Sequence, residues 1–409
     1  MTSTVADTEI VSPKSREQWM ARADEVAAAL ADDVVEREQG NVSPTAEVET
    51  LREAGLLTML GPVDAGGGAT DWDTALAVTR RIATVDGSVA QLLGYHYLWV
   101  SMPTLWGTAE QRRRLDEDTT RNQWFWAAAV NPRDNDVVVR DLGDELVYSG
   151  RKSFSTGARI ADRLILEGVV VDPDGVPGEQ RVFGFAAGDA PGLTRHDDWN
   201  NVGMRLTESG SVDIRDVRVP WSDALGYTDK VQAMPAQAAL TTVIHQLVFT
   251  NLYLGLAQGA LATARTYTRS TTRPWLNAVN VERATDDPYT LKTYGELGSA
   301  LLAVEALVDK ANEQLSVAYQ NPDTITERSR GELMVLVAAS KAQATQVALD
   351  TTSRVFEVTG ARATAAKVGL DRFWRDVRTH TLHDPVAYKL REVGDYTLND
   401  RIPTPGWYS

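Results

Sequence analysis

Lys152-Ser153-Phe154-Ser155-Thr156-Gly157-Ala158 joins a strand-forming run to a turn, and its neighbours decide how the whole chain is read. The segment presents an aromatic ring and a hydroxyl two residues apart, a pair able to cover a planar cofactor and hydrogen-bond its edge. Phe and Thr are also ordinary strand residues, so a strand end packed into the core reads equally well. Around it lie short β-rich runs: DVVVRDL at 136–142, ELVYSG at 145–150, RLILEGVVV at 163–171, RVFGFAA at 181–187 and VDIRDVRV at 212–219. Gly, Pro and Asp turns separate them, the pattern of an antiparallel sheet or small barrel.

Outside this window the apolar spacing is helical. Ser15 with Gln18 forms a capping box ahead of Trp19, Ala23, Val26 and Leu30. Ser43-Pro44 starts a second helix, and Leu51, Leu56 and Leu57 bracket Gly55 at its end. Pro62 and Gly66-Gly67-Gly68 turn the chain before a helix from Asp71, where Trp72, Ala75, Val78 and Ile82 share a face. After Pro235 the helical period returns; Thr324 and Glu327 form a capping box opening a long helix that Gly360 closes. The order is helices, strands, helices, an α+β chain that is mainly α. Its expected domains are a helical one at 1–130, a β-domain at 131–232, and a helical one at 233–409 with the aromatic tail Pro403–Tyr408.

With 409 residues the chain exceeds one compact core and predicts two or three domains, with room for a site between them. Hydrophobic residues at 43% and charged residues at 24% exclude disordered and fibrous classes. Lys and Arg number 41 against 56 Asp and Glu; the net charge of -15 and the lack of a basic stripe argue against a nucleic-acid partner. The N-terminal MTSTVADTEIVSPKSREQW lacks the marks of a signal peptide, and no later stretch reads as a bilayer span. A cytoplasmic protein with no membrane partner is expected. The absence of cysteine removes disulfides, thiolate nucleophiles and Cys-ligated metals.

Neither GxGxxG nor GxxxxGK[ST] occurs, and Gly66–Gly68 reads as a plain turn. Of the histidines His96, His196, His245, His380 and His383, any one is more often packed or solvated than catalytic, although its pKa makes it a candidate proton donor. His380 and His383 share a helical face, but no HExxH pattern or third ligand accompanies them, so no metal is expected. The surrounding Asp371–Pro385 segment carries Arg372, Arg375 and Arg378 with two aromatics: an anion- and ring-binding surface, or a salt-bridged helix end. Tyr267–Trp275, with Arg269 and Arg273, ends a helix where cations suit the C-terminal dipole.

Taken in order, these segments resemble the acyl-CoA dehydrogenase superfamily from about residue 15 onward. The resemblance implies an N-terminal helical domain, a central antiparallel β-domain, a C-terminal four-helix bundle, and a homotetramer with flavin at subunit boundaries. It implies that Phe154 flanks the isoalloxazine, that Thr156 hydrogen-bonds its N5 edge, and that Arg273, Gly360 and Arg362 reach the flavin phosphate. Dehydrogenases of the family carry a glutamate base after an Arg-Asp pair; counting from Arg375-Asp376, that place reads His383-Asp384-Pro385. A shortened, displaced carboxylate forfeits near-attack geometry and argues against acyl-CoA dehydrogenation.

Gly94-Tyr95-His96, His196–Trp199, Asn201–Arg205, Arg372–Arg375 and Arg378–Pro385 resemble the monooxygenase branch typified by dibenzothiophene monooxygenase and related indole-oxidising flavoenzymes. That branch takes reduced flavin, FMN or FAD, from a separate flavin reductase. O₂ adds at the flavin C4a, and the hydroperoxide oxygenates a small aromatic substrate. The resemblance makes His383, Thr156 and His96 catalytic, with His383 also at the cofactor, and Tyr95, His96, Ala129 and Trp199 substrate-binding. One departure is Trp126–Pro132, where an asparagine expected near flavin and substrate becomes Ala129. That change favours indole-type ring hydroxylation, then thiophene or sulfide S-oxidation, then amine N-oxidation. The alternatives are an acyl-CoA dehydrogenase with Asp384 as base and a non-catalytic binding scaffold.

Overall fold

The computed structural model of the protein describes residues 14–134 and 136–409; the N-terminal stretch read for a targeting signal lies largely outside them. The first region holds α1 (Arg16–Ala31), α2 (Val34–Gly40), α3 (Thr45–Glu53), α4 (Trp72–Ala83), α5 (Gly87–Val100), α6 (Met102–Trp106) and α7 (Ala109–Asn122). The Ser15 capping box forms as expected, burying Trp19, Ala23, Val26 and Leu30, and Asp71 caps α4 through Thr74 N–H. The three glycines form the expected turn, with Gly67 N–H bonded to Pro62 O at 2.9 Å.

The strand region holds β1 (Trp126–Ala129), β2 (Val138–Asp141), β3 (Glu145–Lys152), β4 (Arg163–Val171), β5 (Pro177–Ala187), β6 (Leu193–Arg195) and β7 (Val212–Pro220), followed by the small hairpin β8 (Tyr227–Thr228) and β9 (Val231–Gln232). The sheet runs β1-β4-β2-β3-β7-β6, with β5 paired along the other edge of β4. β1 and β2 both lie parallel to β4, which corrects the expectation of a wholly antiparallel sheet. The pairings β2–β3, β3–β7, β4–β5 and β6–β7 are antiparallel. β1 also starts ahead of the expected boundary at residue 131, because four small or aromatic residues with buried side chains extend it from Trp126.

The C-terminal region holds α8 (Thr241–Ser270), α9 (Pro288–Gln320), α10 (Glu327–Thr359), α11 (Asp371–His380) and α12 (Val386–Asn399). α10 packs against α8, α9 and α12, and α4 and α5 lean on α8 to join the first region to this bundle. The cap of α10 is Thr326 with Ser329, not Thr324 with Glu327; residues 322–324 form a short turn of their own. Gly360 ends α10 at φ 78°, a conformation open to glycine. Residues 236–270 do reach the length and apolarity of a membrane span, against expectation, but most of that surface is buried inside the bundle. Burial on all sides accounts for a helix apolar all round.

Candidate active site

Two cavities meet at the junction of the three regions. One, of about 720 Å³, is walled by Trp99, Trp106, Phe183, His245 and Trp407. The other, of about 780 Å³, is walled by Gln91, Trp199, Asn201, Trp374, Arg378 and His380. Tyr95, Asn131, Phe154, Thr156, His383 and Tyr408 line both and form the partition between them. The sequence reading of Tyr95, Phe154, Thr156 and His383 is therefore brought together in space.

Helix α5 supplies one side of this partition by simple periodicity. Gln91, Tyr95 and Trp99 recur every fourth residue and face the cavities in turn. His96 follows Tyr95 by one position and so points elsewhere. Its Nε2 hydrogen-bonds Leu57 O at 2.7 Å, its Nδ1 accepts from Trp126 N–H at 3.1 Å, and its ring stacks on Phe125. Burial lowers its pKa to about 4, and the side chain lines neither cavity. The catalytic and substrate-binding roles assigned to His96 are corrected: it is a structural tie between α5, Leu57 and β1.

Strand alternation corrects Ala129 in the same way. Ala128 and Val130 line the apolar cavity while Ala129, between them, turns into the core. The amide thought missing at Ala129 is present two residues later, where Asn131 lines both cavities. Its loop is pinned by Lys152, a buried side chain whose Nζ donates to Asn131 O at 3.0 Å, Asp134 O at 2.7 Å and Glu167 Oε2 at 2.7 Å. Asp134 in turn accepts from Ser153 N–H and Oγ–H, both at 2.6 Å.

These bonds hold Phe154 in the left-handed region at φ 53°, with its ring 65% exposed to the cavities. Such a conformation in a bulky residue is strained and is kept where the surroundings over-determine it. Thr156 Oγ1 pairs with Ser209 Oγ at 2.8 Å, and Gln91 Nε2 approaches it at 3.5 Å. Trp199 lines the second cavity beside Phe154 rather than the apolar one, which shifts it from the substrate side. The loop carrying it is clamped on α11: Met204 N–H donates to Asp376 at 2.6 Å, and a Cβ at Gly203 would lie 2.1 Å from Arg375 O. Arg375 itself is paired with Glu38 and Asp371, so the salt-bridged reading holds for it, while Arg378 faces the cavity.

His383 lies beyond the end of α11 and packs against Phe249, with ring centroids 4.7 Å apart. Its Nδ1 meets Asp384 Oδ1 at 3.2 Å, and that carboxylate is bound by Lys341 Nζ at 2.5 Å. Burial opposes the charge on Asp384, but the hydrogen bond with His383 and the Lys341 ammonium outweigh it and hold the carboxyl well below its usual range. Asp384 lines neither cavity and is tied to Lys341, His383 and Gln246, so the alternative with Asp384 as a substrate base is corrected.

Arg273, Gly360 and Arg362 also line neither cavity. They gather at exposed positions where α8 and α10 end: Arg362 Nη2 donates to Thr271 O at 3.2 Å, and Thr272 Oγ1 to Thr359 O at 3.3 Å. Within one chain they do not join the site. Sequence reasoning passed over Asn131, Lys341 and Gln91, and left His245 as one histidine of five. The four-residue spacing of Gln91, Tyr95 and Trp99 was the available signal.

The second cavity suits a planar, polar, anionic group. Gln91 Oε1, Arg378 Nε and His380 Nε2 are buried there without a hydrogen-bond partner. Buried groups of this kind are held for a ligand or cost free energy. Phe154 and Trp199 add aromatic walls, so the residues present fit a flavin ring with its polar edge and phosphate-bearing tail.

The acyl-CoA dehydrogenase N-terminal domain family model matches residues 14–122, and the C-terminal domain model matches residues 247–387. The chain is 44% identical to a dibenzothiophene monooxygenase of Mycolicibacterium goodii, over 92% of each. Among solved structures it is similar to methanesulfinate monooxygenase MsuC from Pseudomonas fluorescens, with 40% identity, a TM-score of 0.90, and coverage of 95% of this chain and 99% of that one. It is similar also to TdsC from Paenibacillus sp. A11-2, solved with FMN and indole, with 38% identity, a TM-score of 0.90, and coverage of 96% and 100%. These pairwise matches span the strand region that the two family models leave out.

Proposed function

This chain belongs to the acyl-CoA dehydrogenase family, as a flavin-dependent monooxygenase that uses reduced flavin and O₂, and we propose that it oxygenates a neutral aromatic or heteroaromatic ring. A separate flavin reductase supplies the reduced flavin. The observation that carries this reading is the partition itself: an aromatic chamber and a polar, cation-bearing chamber share Tyr95, Phe154, Thr156 and His383. When bound, reduced flavin supplies the electrons that activate O₂ and pass one oxygen atom to the substrate.

The residues around it do the rest. Thr156, backed by Ser209, accepts or donates at the cofactor edge. Phe154 and Tyr95 shield the reacting centre from water, which protects a reactive oxygen species from premature loss. His383 handles the proton taken up as the second oxygen atom leaves as water. His245, kept neutral because burial lowers its pKa to about 3, has an unpartnered Nε2 beside the chamber and suits a substrate heteroatom.

The substrate preference follows from charge. Arg330 reaches the apolar chamber, but its guanidinium is engaged by Ser409 O at 2.6 Å and Pro403 O at 3.3 Å. Among the described residues no other Arg or Lys lines that chamber, whereas aromatic walls favour a planar ring. Indole-type ring hydroxylation comes first, thiophene or sulfide S-oxidation second, and amine N-oxidation third. Arg273, Gly360 and Arg362 act in this reading on flavin held by a neighbouring copy, in a homotetramer.

The test is to supply the protein with a flavin reductase, NADH and O₂ and to screen indole, dibenzothiophene and a dialkyl sulfide for added oxygen by mass. Oxygenation of a ring substrate supports the reading. Turnover of the sulfide alone would move the substrate class away from rings.

A further inference from the structure

Lys341 sits in the middle of α10 with its side chain 2% exposed. A lone ammonium there would be costly, and its position is defined by its partners: Asp384 Oδ1 at 2.5 Å, Gln246 Oε1 at 2.6 Å, and the Phe249 ring, whose centroid lies 5.0 Å away. Gln246 Nε2 approaches Asp384 Oδ2 at 3.4 Å and closes a triangle behind the carboxylate. A buried pair of this kind is poor evidence of stabilisation, because apolar side chains of similar volume often serve the fold as well or better. Its use is better sought in what the carboxylate touches.

That group is His383. A carboxylate only accepts, so His383 Nδ1 must carry the hydrogen that meets Asp384 Oδ1 at 3.2 Å. Phe249, at 4.7 Å, and His245, at 5.5 Å between centroids, pack together against the ring. Nε2, on the opposite edge, is then the nitrogen presented toward the cavities that His383 lines. We propose that Lys341 is a positioning residue for His383: by holding Asp384 as a carboxylate behind the ring, it fixes Nδ1–H inward and Nε2 outward.

This inference rests on the role given to His383 above and sharpens it. The neutral ring accepts at Nε2 and donates there only after taking up a proton. His383 therefore acts at the site through one nitrogen, in two protonation states, while Lys341 and Asp384 never touch substrate or cofactor. The same logic explains why the position after His383 carries an acid although it lines no cavity.

The test uses full-length protein with and without flavin. Solid-state NMR of the flavin-free protein labelled with nitrogen-15 histidine, assigned with His383→Asn, is expected to show His383 as the Nδ1–H tautomer. In Lys341→Met/Asp384→Leu, which replaces the pair with apolar groups, the melting temperature should equal or exceed that of the parent. The Nδ1–H signature should be lost, and product formed per NADH should fall about tenfold, the scale of a displaced proton-transfer group. Asp384→Asn, whose amide oxygen stays on Lys341 at the place of Oδ1 and still accepts from Nδ1–H, should keep the Nδ1–H tautomer. Retention of the Nδ1–H tautomer and full coupling in the double variant would overturn the proposal, since the pair would then be structural only. If His383→Asn itself stays fully coupled, the proton role of His383 fails, and the tautomer data still decide whether Lys341 orients the ring.

Discussion

The ring of Phe154 stands edge-on to the indole of Trp199, with centroids 5.9 Å apart and planes at 76°, on a backbone with φ 53°. A bulky residue is thus held in a left-handed conformation with its ring turned out toward the cavities. The fold gains little burial from that ring. The arrangement is explained by a ligand that the two rings flank.

Phe154→Gly separates the two contributions. Glycine relieves the strain of about 1 kcal/mol but adds chain entropy of similar size, so the melting temperature should move by no more than a few degrees. Flavin affinity, measured by anaerobic titration or fluorescence quenching, should weaken about tenfold or more, the worth of a well-placed aromatic contact. A large loss of stability with unchanged flavin affinity would show that the ring serves the fold.

His96 should behave in the opposite way. His96→Ala removes a buried ring and leaves Trp126 N–H and Leu57 O without their partner, at a cost of about 3 kcal/mol. Coupling per folded molecule should be unchanged. Its pKa is about 4 in the fold against 6.5 for an ordinary histidine, with burial as the main cause. The unfolded chain therefore binds the extra proton first: the contribution is fully present above pH 6.5 and is lost as pH falls through about 4. Thermal melts across that window should show an acid destabilisation that shrinks in His96→Asn by up to about 3 kcal/mol.

Ala128 is the residue through which β1 sets the depth of the apolar chamber. Ala128→Leu should raise the KM for a fused-ring substrate about tenfold or more, since the added methyl groups occupy substrate volume. Reduced-flavin affinity should stay within a factor of about two. Ala129→Leu, one residue on, should instead cost about 1–3 kcal/mol in stability by overpacking the core.

The contrast between Ala128 and Ala129 shows where sequence reading reached its limit. The order of helices, strands and helices follows from local periodicity, and the Phe154–Thr156 turn from a short motif, so both are legible in one dimension. The facing of a single residue is not: His96 and Ala129 each lie one step from the cavity-lining position, and the register of α5 and β1 is set by tertiary packing against Leu57 and Phe125. Lys341 was invisible for another reason. A lysine in a long helix is ordinary, and only the approach of α10 to the segment after α11 brings it within reach of Asp384.

The central claim is tested most directly by isotope incorporation. The protein is supplied with an FMN reductase, NADH, indole and heavy-oxygen O₂, and the product is analysed by mass spectrometry. The account predicts one heavy oxygen atom per product molecule, dependent on the reductase and lost with excess hydrogen peroxide release in His383→Asn. A product free of heavy oxygen from every ring substrate tried, together with anaerobic bleaching of bound oxidised flavin by an acyl-CoA, would contradict it.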